Sequence, residues 1–333
     1  MPVIKFTNRQ VLLVIILLTS IASPSRAGYI YGWGDNDSNQ ISDIPTGGDF
    51  TDMSSYYAFG FGLHSDGSIA AWGYDDYNQV TDAPTGTGFQ DVASSYYTGF
   101  AINSSGQIVG WGRDEYSLLD VPSGNDFVQL SNGYYAGFAL NSDGKIYGWG
   151  IDDLDQLTHI PTDNGYTKVV SWYANVYALA ADGSIAAWGY DIYNQVTDTP
   201  TGTGFQDVAA SSYQGAAIRA DGSLVAWGYD EFNLLDVPSG NDFVQIAGGD
   251  YNFYALRSDG SIVGWGSDEY GQVSDVPTGT SFTGVFDGGF RAGFAIGTDE
   301  PPAVPEPTTL AVWSLLSIFG ISATYWQRRK KSF

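Results

Sequence analysis

The sequence predicts an all-β fold, a seven-bladed β-propeller with about three antiparallel strands per blade and a ring closed by the N-terminal strand. Two observations carry this. Trp-Gly recurs at Trp33, Trp72, Trp111, Trp149, Trp188, Trp227 and Trp265, with spacings of 39, 39, 38, 39, 39 and 38 residues. Such a fixed period marks a repeat architecture in which each unit is one supersecondary element. Asp-Gly or Ser-Gly between two apolar runs just before a Trp-Gly, in contrast, occurs only six times, at Asp66-Gly67, Ser105-Gly106, Asp143-Gly144, Asp182-Gly183, Asp221-Gly222 and Asp259-Gly260. The last unit therefore ends at Ile296-Gly297 without a third strand, and residues 29–33 at the other end of the repeat region have the missing sequence.

Each unit reads as an aromatic-x-x-Val strand, a Tyr-rich step, a "Phe-Ala-Ile" strand, Asp-Gly, a second apolar strand, Trp-Gly and an acidic loop ending in Pro. In the second unit, residues 89–93, 99–103 and 107–111 are the expected strands. Asp-Gly and Ser-Gly between apolar runs favour two-residue hairpins because these residues tolerate positive φ. Phe100 and Ile102 share one face by the two-residue period and Ala101 takes the other, so both faces are expected to be buried between neighbouring blades. Closure removes the exposed sheet edges that invite aggregation. Residues 67–102 nearly repeat as 183–218, and 118–130 as 234–246, so three units form a duplicated block and seven is three plus three plus one. An open solenoid would need polar capping repeats, and the end units are not of that kind.

Composition agrees: 43 Gly, 23 Tyr, 18 Phe and 10 Trp with 15% charged residues suit a turn-rich β fold. Cysteine is absent, which excludes disulfides, thiolate-held zinc and a cysteine nucleophile. Seven of the 13 basic residues lie in the two terminal segments; without them, 37 acidic against 6 basic residues leave about −31. That field repels phosphate backbones, so nucleic acid is excluded as a partner.

Residues 1–27 read as a signal peptide: Lys5 and Arg9, an apolar run over 11–21, and small residues at Ser25 and Ala27 before cleavage at Gly28. The propeller is expected over 28–299, followed by a linker over 300–309, an apolar span over 310–326 and a basic tail over 327–333. The span is long enough to cross a bilayer, and Arg328, Arg329, Lys330 and Lys331 hold its end in the cytoplasm. Val304, Pro305, Glu306 and Pro307, then an apolar helix, then the arginine cluster resemble the PEP-CTERM sorting signal of exopolysaccharide-producing Gram-negative bacteria. The resemblance implies an exosortase-type membrane transpeptidase as sorting partner, a membrane anchor that is removed, and a cell-surface or extracellular location.

Within the repeats, Trp72-Gly73-Tyr74-Asp75 followed by Gln79 and Pro84 resembles the RCC1-like propeller repeat, in the short form of a secreted seven-bladed β-lactamase-inhibitor protein. The likeness covers about residues 28–299 and implies the fold; relatives with this scaffold include a nuclear exchange factor and plant photoreceptors, so it implies no single function.

The loop between the first two strands of each unit is the candidate binding element. Its aromatic residues are Tyr56, Tyr57, Tyr96, Tyr97, Tyr134, Tyr135, Trp172, Tyr173, Tyr213, Tyr251 and Phe290, so every blade contributes. Equivalent loops gather on one propeller face, and Tyr and Trp give large contact area with a polar handle. In about half of the pairs, one tyrosine is expected to pack into the neighbouring blade instead. A second recurrent feature is the acidic loop after each Trp-Gly. Asp75, Asp76, Asp152 and Asp153 are the calcium candidates in these loops, although the spacing lacks the alternation of an EF-hand and favours turn-making. His64 and His159 are the only histidines and lie in different repeats, so neither a metal triad nor a Ser-His-Asp site is expected. The sequence thus points to a non-enzymatic surface protein that binds a protein or exopolysaccharide. A carbohydrate-active enzyme with a carboxylate pair and a purely structural envelope role are the alternatives, and no cofactor is required.

Overall fold

The computed structural model describes residues 28–301, apart from residues 287 and 290 and the side chain of Asn132. The signal peptide, the sorting motif Val304–Pro307, the apolar span and the basic tail lie outside the described residues. Among the described residues, no helix is long and apolar enough to cross a membrane.

Twenty-one strands form seven three-stranded antiparallel sheets. Six blades run consecutively through residues 50–73, 91–112, 127–150, 166–189, 205–228 and 243–266. Blade 7 combines Phe282–Phe286 and Ala292–Gly297 with the N-terminal strand Tyr29–Gly34. The pairing that closes the ring runs in register from Tyr29 opposite Gly297 to Gly34 opposite Ala292. The strand expected to complete the last blade therefore does so.

In the second blade the first strand is Asp91–Ser95, later than expected from the sequence, with Thr98–Ile102 and Ile108–Gly112 beside it. The Phe89 N–H bonds the Gly67 carbonyl of the preceding blade at 3.0 Å, as the opening aromatics of blades 3 to 7 bond the equivalent glycines, and the regular ladder of this blade begins two residues on. In the other six blades the opening aromatic is part of the strand but is followed at once by a register shift, as between Phe50 and Asp52. Such bulges re-aim the next side chain.

The Trp-Gly signature has a mechanical reason. Each indole N–H donates to a carbonyl in the loop of the blade before it: Trp72 to Gln40, Trp111 to Gln79, Trp149 to Leu118, Trp188 to Gln156, Trp227 to Gln195, Trp265 to Leu234 and Trp33 to Gln272, at 2.9–3.0 Å. The glycine that follows has φ near +90° to +107° in all seven copies. At Gly73 a Cβ would stand 2.3 Å from the Ala58 carbonyl oxygen, so glycine alone allows the outer strand to end there.

Both faces of each middle strand are buried as the alternation requires. Phe100 and Ile102 pack with Leu130 and Trp149 of the next blade, whereas Ala101 packs with Phe61 of the previous one. The hairpin glycines, from Gly67 at φ 77° to Gly260 at φ 83°, confirm the turns read from Asp-Gly and Ser-Gly. His64 ends a middle strand beside such a turn and stacks on Phe50 with ring centroids 4.1 Å apart.

Candidate binding face and axial channel

In every blade the first strand ends, the second begins and the third ends on the same side of the ring, because the three strands are antiparallel. The Tyr-rich tips and the acidic loops after Trp-Gly, read separately from the sequence, therefore share one face. Their rings form a chain of contacts. Tyr57 meets Tyr97 at 6.1 Å, Tyr96 meets Tyr134 at 5.0 Å, Tyr134 meets Tyr173 at 5.7 Å, Tyr173 meets Tyr213 at 5.8 Å, and Tyr213 meets Tyr251 at 6.3 Å. Tyr96 and Tyr97 join the first two links at 4.6 Å, and Tyr135 lies 4.0 Å from Tyr134. Phe290 lies outside the described residues.

The acidic loops add rings that the sequence reading did not single out. Tyr77 packs on Tyr97 at 4.7 Å, Tyr116 on Tyr135 at 4.2 Å, Tyr193 on Tyr213 at 5.2 Å and on Tyr229 at 4.3 Å, and Phe232 on Tyr251 at 5.5 Å. The signal available was their position within five residues of each Trp-Gly, combined with the strand directions.

Two members of the predicted set do not reach the surface. Tyr56 and Trp172 are 4% and 3% exposed. The sequence pairs them with Tyr57 and Tyr173 as it pairs Tyr96 with Tyr97, but the strand register offsets the copies by one. Tyr56 lies opposite Phe59 where Ser95 lies opposite Thr98, so Tyr56 is the counterpart of Ser95. Tyr56 and Trp172 belong to blades 1 and 4, three steps apart in a ring of seven, and their rings are 5.8 Å apart. Contact at that separation is possible only across the axis. Tyr134 of blade 3 joins them, 6.4 Å from Tyr56. One residue was expected to turn inward in about half of the pairs; Tyr56 and Trp172 do so, and they span the axis rather than filling a seam between neighbours.

The acidic residues nearest each Trp-Gly serve the backbone. Asp75 accepts from the Val80 and Thr81 N–H groups at 2.6 and 3.1 Å and from the Thr81 hydroxyl. Asp152 does the same for Leu157 and Thr158. These bonds hold both carboxyls below the usual carboxylate range despite partial burial. Asp76 accepts from the Tyr74 hydroxyl at 2.8 Å, which pushes that phenol up to about 12. Asp153 is exposed. Among the described residues no three His or acidic side chains converge as a metal group. The four calcium candidates therefore stand as two turn-makers and two surface acids.

A second polar system, absent from the sequence reading, lines the axis. Two residues after each opening aromatic stand Asp52, Asp91, Gln129, Lys168, Asp207, Gln245 and Gly284. The first strands of all seven blades surround a cavity of about 290 Å³, lined by Asp52, Asp91, Gln129, Lys168 and Gln245 of this set, while Asp207 stands just behind it. All of the set but Gly284 reach the next blade. Gln129 exchanges two bonds with the Val169 backbone at 3.0 Å, and Gln245 two with Val285 at 2.9 and 3.1 Å. Asp91 and Asp207 accept from the Leu130 and Ile246 N–H groups at 2.5 and 2.9 Å. Lys168 forms an ion pair with Asp207, and Asp52 hydrogen-bonds Asp91.

Burial favours the protonated form of the Asp52–Asp91 pair. Burial raises both carboxyls, Asp52 to about 6 and Asp91 well above the ordinary range, the negative charge of Asp52 adding to the latter. By surface area both are half-buried, because the channel reaches them, yet protein surrounds them on all sides. Their direct hydrogen bond leaves no space for a sugar and a water, which a glycosidase holds between carboxyls about 5–9.5 Å apart. A larger groove of about 870 Å³ lies outside blade 7, lined by Tyr29, Tyr31, Ile41 and Ile44. Neither cavity includes the tyrosine face. That face is open relief, suited to a macromolecule rather than an enclosed small ligand.

Comparison with known proteins bears on this architecture. The Regulator of chromosome condensation (RCC1) repeat matches residues 243–272. Prp20p from Saccharomyces cerevisiae, studied for its binding to Gsp1p and histones, superposes with a TM-score of 0.64 over 82% of this chain and 92% of its own, at 15% identity. The fold is an RCC1-like β-propeller. Human WBSCR16 gives a TM-score of 0.66 over 82% of the propeller chain and 99% of its own, at 16% identity. The ectodomain of the Physcomitrella patens receptor kinase CR4 gives 0.60 over 71% and 67%, at 20% identity. No curated protein matches the propeller chain significantly. At these identities the likeness concerns the fold and leaves the ligand of the propeller open.

Proposed function

We propose that this protein is an exported, non-enzymatic binding protein of the cell surface or extracellular matrix that engages a protein or exopolysaccharide through its tyrosine-rich face. One observation carries the reading. Of eight exposed large hydrophobic side chains among the described residues, six (Tyr57, Tyr77, Tyr173, Ile192, Tyr193 and Phe232) lie on that face, at 36–60% exposure. Aromatic groups held at the surface by neighbouring rings rather than drawn inward mark an interaction site. Export rests on the signal-like residues 1–27 and on the resemblance of residues 304–331 to a sorting signal read by an exosortase-type transpeptidase. The directly bonded Asp52–Asp91 pair disfavours the glycosidase alternative at that site.

The test is a glycan and surface-protein binding screen with the full-length chain, followed by the combined Tyr97→Ala, Tyr135→Ala and Tyr213→Ala variant. These three rings are half-buried links of the arc, and their loss is expected to weaken any ligand at least tenfold, since interface aromatics commonly exceed 1 kcal/mol each. Unchanged affinity in a folded triple variant would remove the face from the function. The sorting reading has its own check: mass spectrometry of the native protein should find the 328–333 segment missing from the mature form.

A further inference from the structure

Charge divides this face from the rest of the molecule. Exposed carboxylates stand among the tyrosines at Asp76, Asp114, Asp153 and Glu269. Of the six Lys and Arg among the described residues, only Arg113 and Arg291 lie on this side. Lys168 is in the channel, while Lys145, Arg219 and Arg257 flank the hairpins at the opposite strand ends.

Both cations of the face are already held by it. The Arg113 guanidinium lies 4.4 Å from the Tyr77 centroid and 5.3 Å from that of Tyr96, and pairs with Glu115. Arg291 lies 4.2 Å over Tyr270. The surface therefore displays, in its own side chains, the environment it offers: a planar cation against tyrosine rings with a carboxylate at its edge. Tyr193 presents a similar platform, stacked on Tyr229 at 4.3 Å, with exposed Ile192 beside it and no basic residue of its own.

Taking the tyrosine face as the binding site, we propose that its partner is an arginine-rich polypeptide segment. Tyrosine faces attract guanidinium groups through the ring quadrupole, and interleaved carboxylates add pairing that a neutral sugar cannot use. An acidic polysaccharide would meet the same field with the opposite sign. Arginine is favoured over lysine because the planar guanidinium stacks and donates two parallel hydrogen bonds to a carboxylate, while ammonium is more strongly hydrated.

The test uses the full-length protein and synthetic peptides: (Gly-Arg)6, (Gly-Lys)6 and (Gly-Ser)6, with amine-bearing chito-oligosaccharides and neutral cello-oligosaccharides as the glycan arms. Expected results are binding of (Gly-Arg)6 at least fivefold tighter than (Gly-Lys)6, and weakening as salt rises. The combined Tyr77→Ala and Tyr193→Ala variant should lose at least tenfold, and Asp153→Asn with Glu269→Gln about threefold. If (Gly-Arg)6 binds no better than (Gly-Ser)6, or if either oligosaccharide binds more tightly, the basic-peptide assignment is overturned. The Tyr77 and Tyr193 variant separates that failure from the broader one. If it still abolishes binding of a glycan or a surface protein, the face remains the site; if it alters none, the face itself is wrong.

Discussion

Replacing Trp33 by alanine should destabilise the whole ring by about 3–5 kcal/mol, the cost of removing a large buried aromatic side chain. Trp33 is 5% exposed, packs edge-on against Tyr254 at 5.1 Å and donates to the Gln272 carbonyl at 2.9 Å. It is also part of the one strand that arrives from the far end of the chain to complete its sheet. For a domain of this size roughly 2–4 °C of melting temperature accompanies each kcal/mol, so a fall of about 10 °C is expected in a thermal scan. Amide hydrogen exchange should show Tyr29–Gly34 and its partner Ala292–Gly297 losing protection together. A shift under about 1 kcal/mol would mean that the N-terminal strand does not hold the circle.

The second large effect concerns acidity. Asp52 and Asp91 both bind protons more tightly folded than unfolded, so the native state holds more protons than the unfolded chain once pH exceeds the ordinary carboxylate value of 3.8. Stability must then decline as pH rises, first between 3.8 and about 6 as the unfolded Asp52 ionises while the folded one resists, and further on account of Asp91. The variant Asp52→Asn should flatten this slope and raise stability at neutral pH. Its carbonyl oxygen keeps the 2.8 Å bond from the Met53 N–H, and its amide donates permanently to Asp91. The gain has an upper bound of about 3 kcal/mol, two pKa units, which water in the channel reduces. Urea midpoints measured from pH 4 to pH 8 decide the matter; a variant curve parallel to the wild type would refute proton sharing at this seam.

What the sequence disclosed and what it withheld follow from how each feature is encoded. The seven tryptophans, the hairpin glycines and the closing strand repeat the same residue at the same spacing, because a single local geometry demands one residue type each time. The axial girdle repeats only a task. Asp, Gln and Lys all reach the next blade from one position, so Asp91, Gln129 and Lys168 look unrelated in a row of letters. The tyrosine face was half legible. Tyr97, Tyr135 and Tyr213 were identifiable from the tip loops, but Tyr77 and Tyr193 needed strand direction to bring their loops to the same side. Tyr56 and Trp172 were misplaced because neighbouring tyrosines in sequence are separated by one step of register, and one step reverses the direction of a side chain.

The bridge of Tyr56 and Trp172 across the axis has a bearing on how the molecule communicates. Their rings stand between the outer tyrosines and the Asp52–Asp91 carboxyls four positions back along the inner strands. If the outer tyrosines dock a partner, those acids are expected to stay out of its reach, and a change in acidity below is expected to leave the docking groups in place. Substitutions at the two levels of the bore are therefore expected to act independently, one set on docking and the other on the pH dependence of stability.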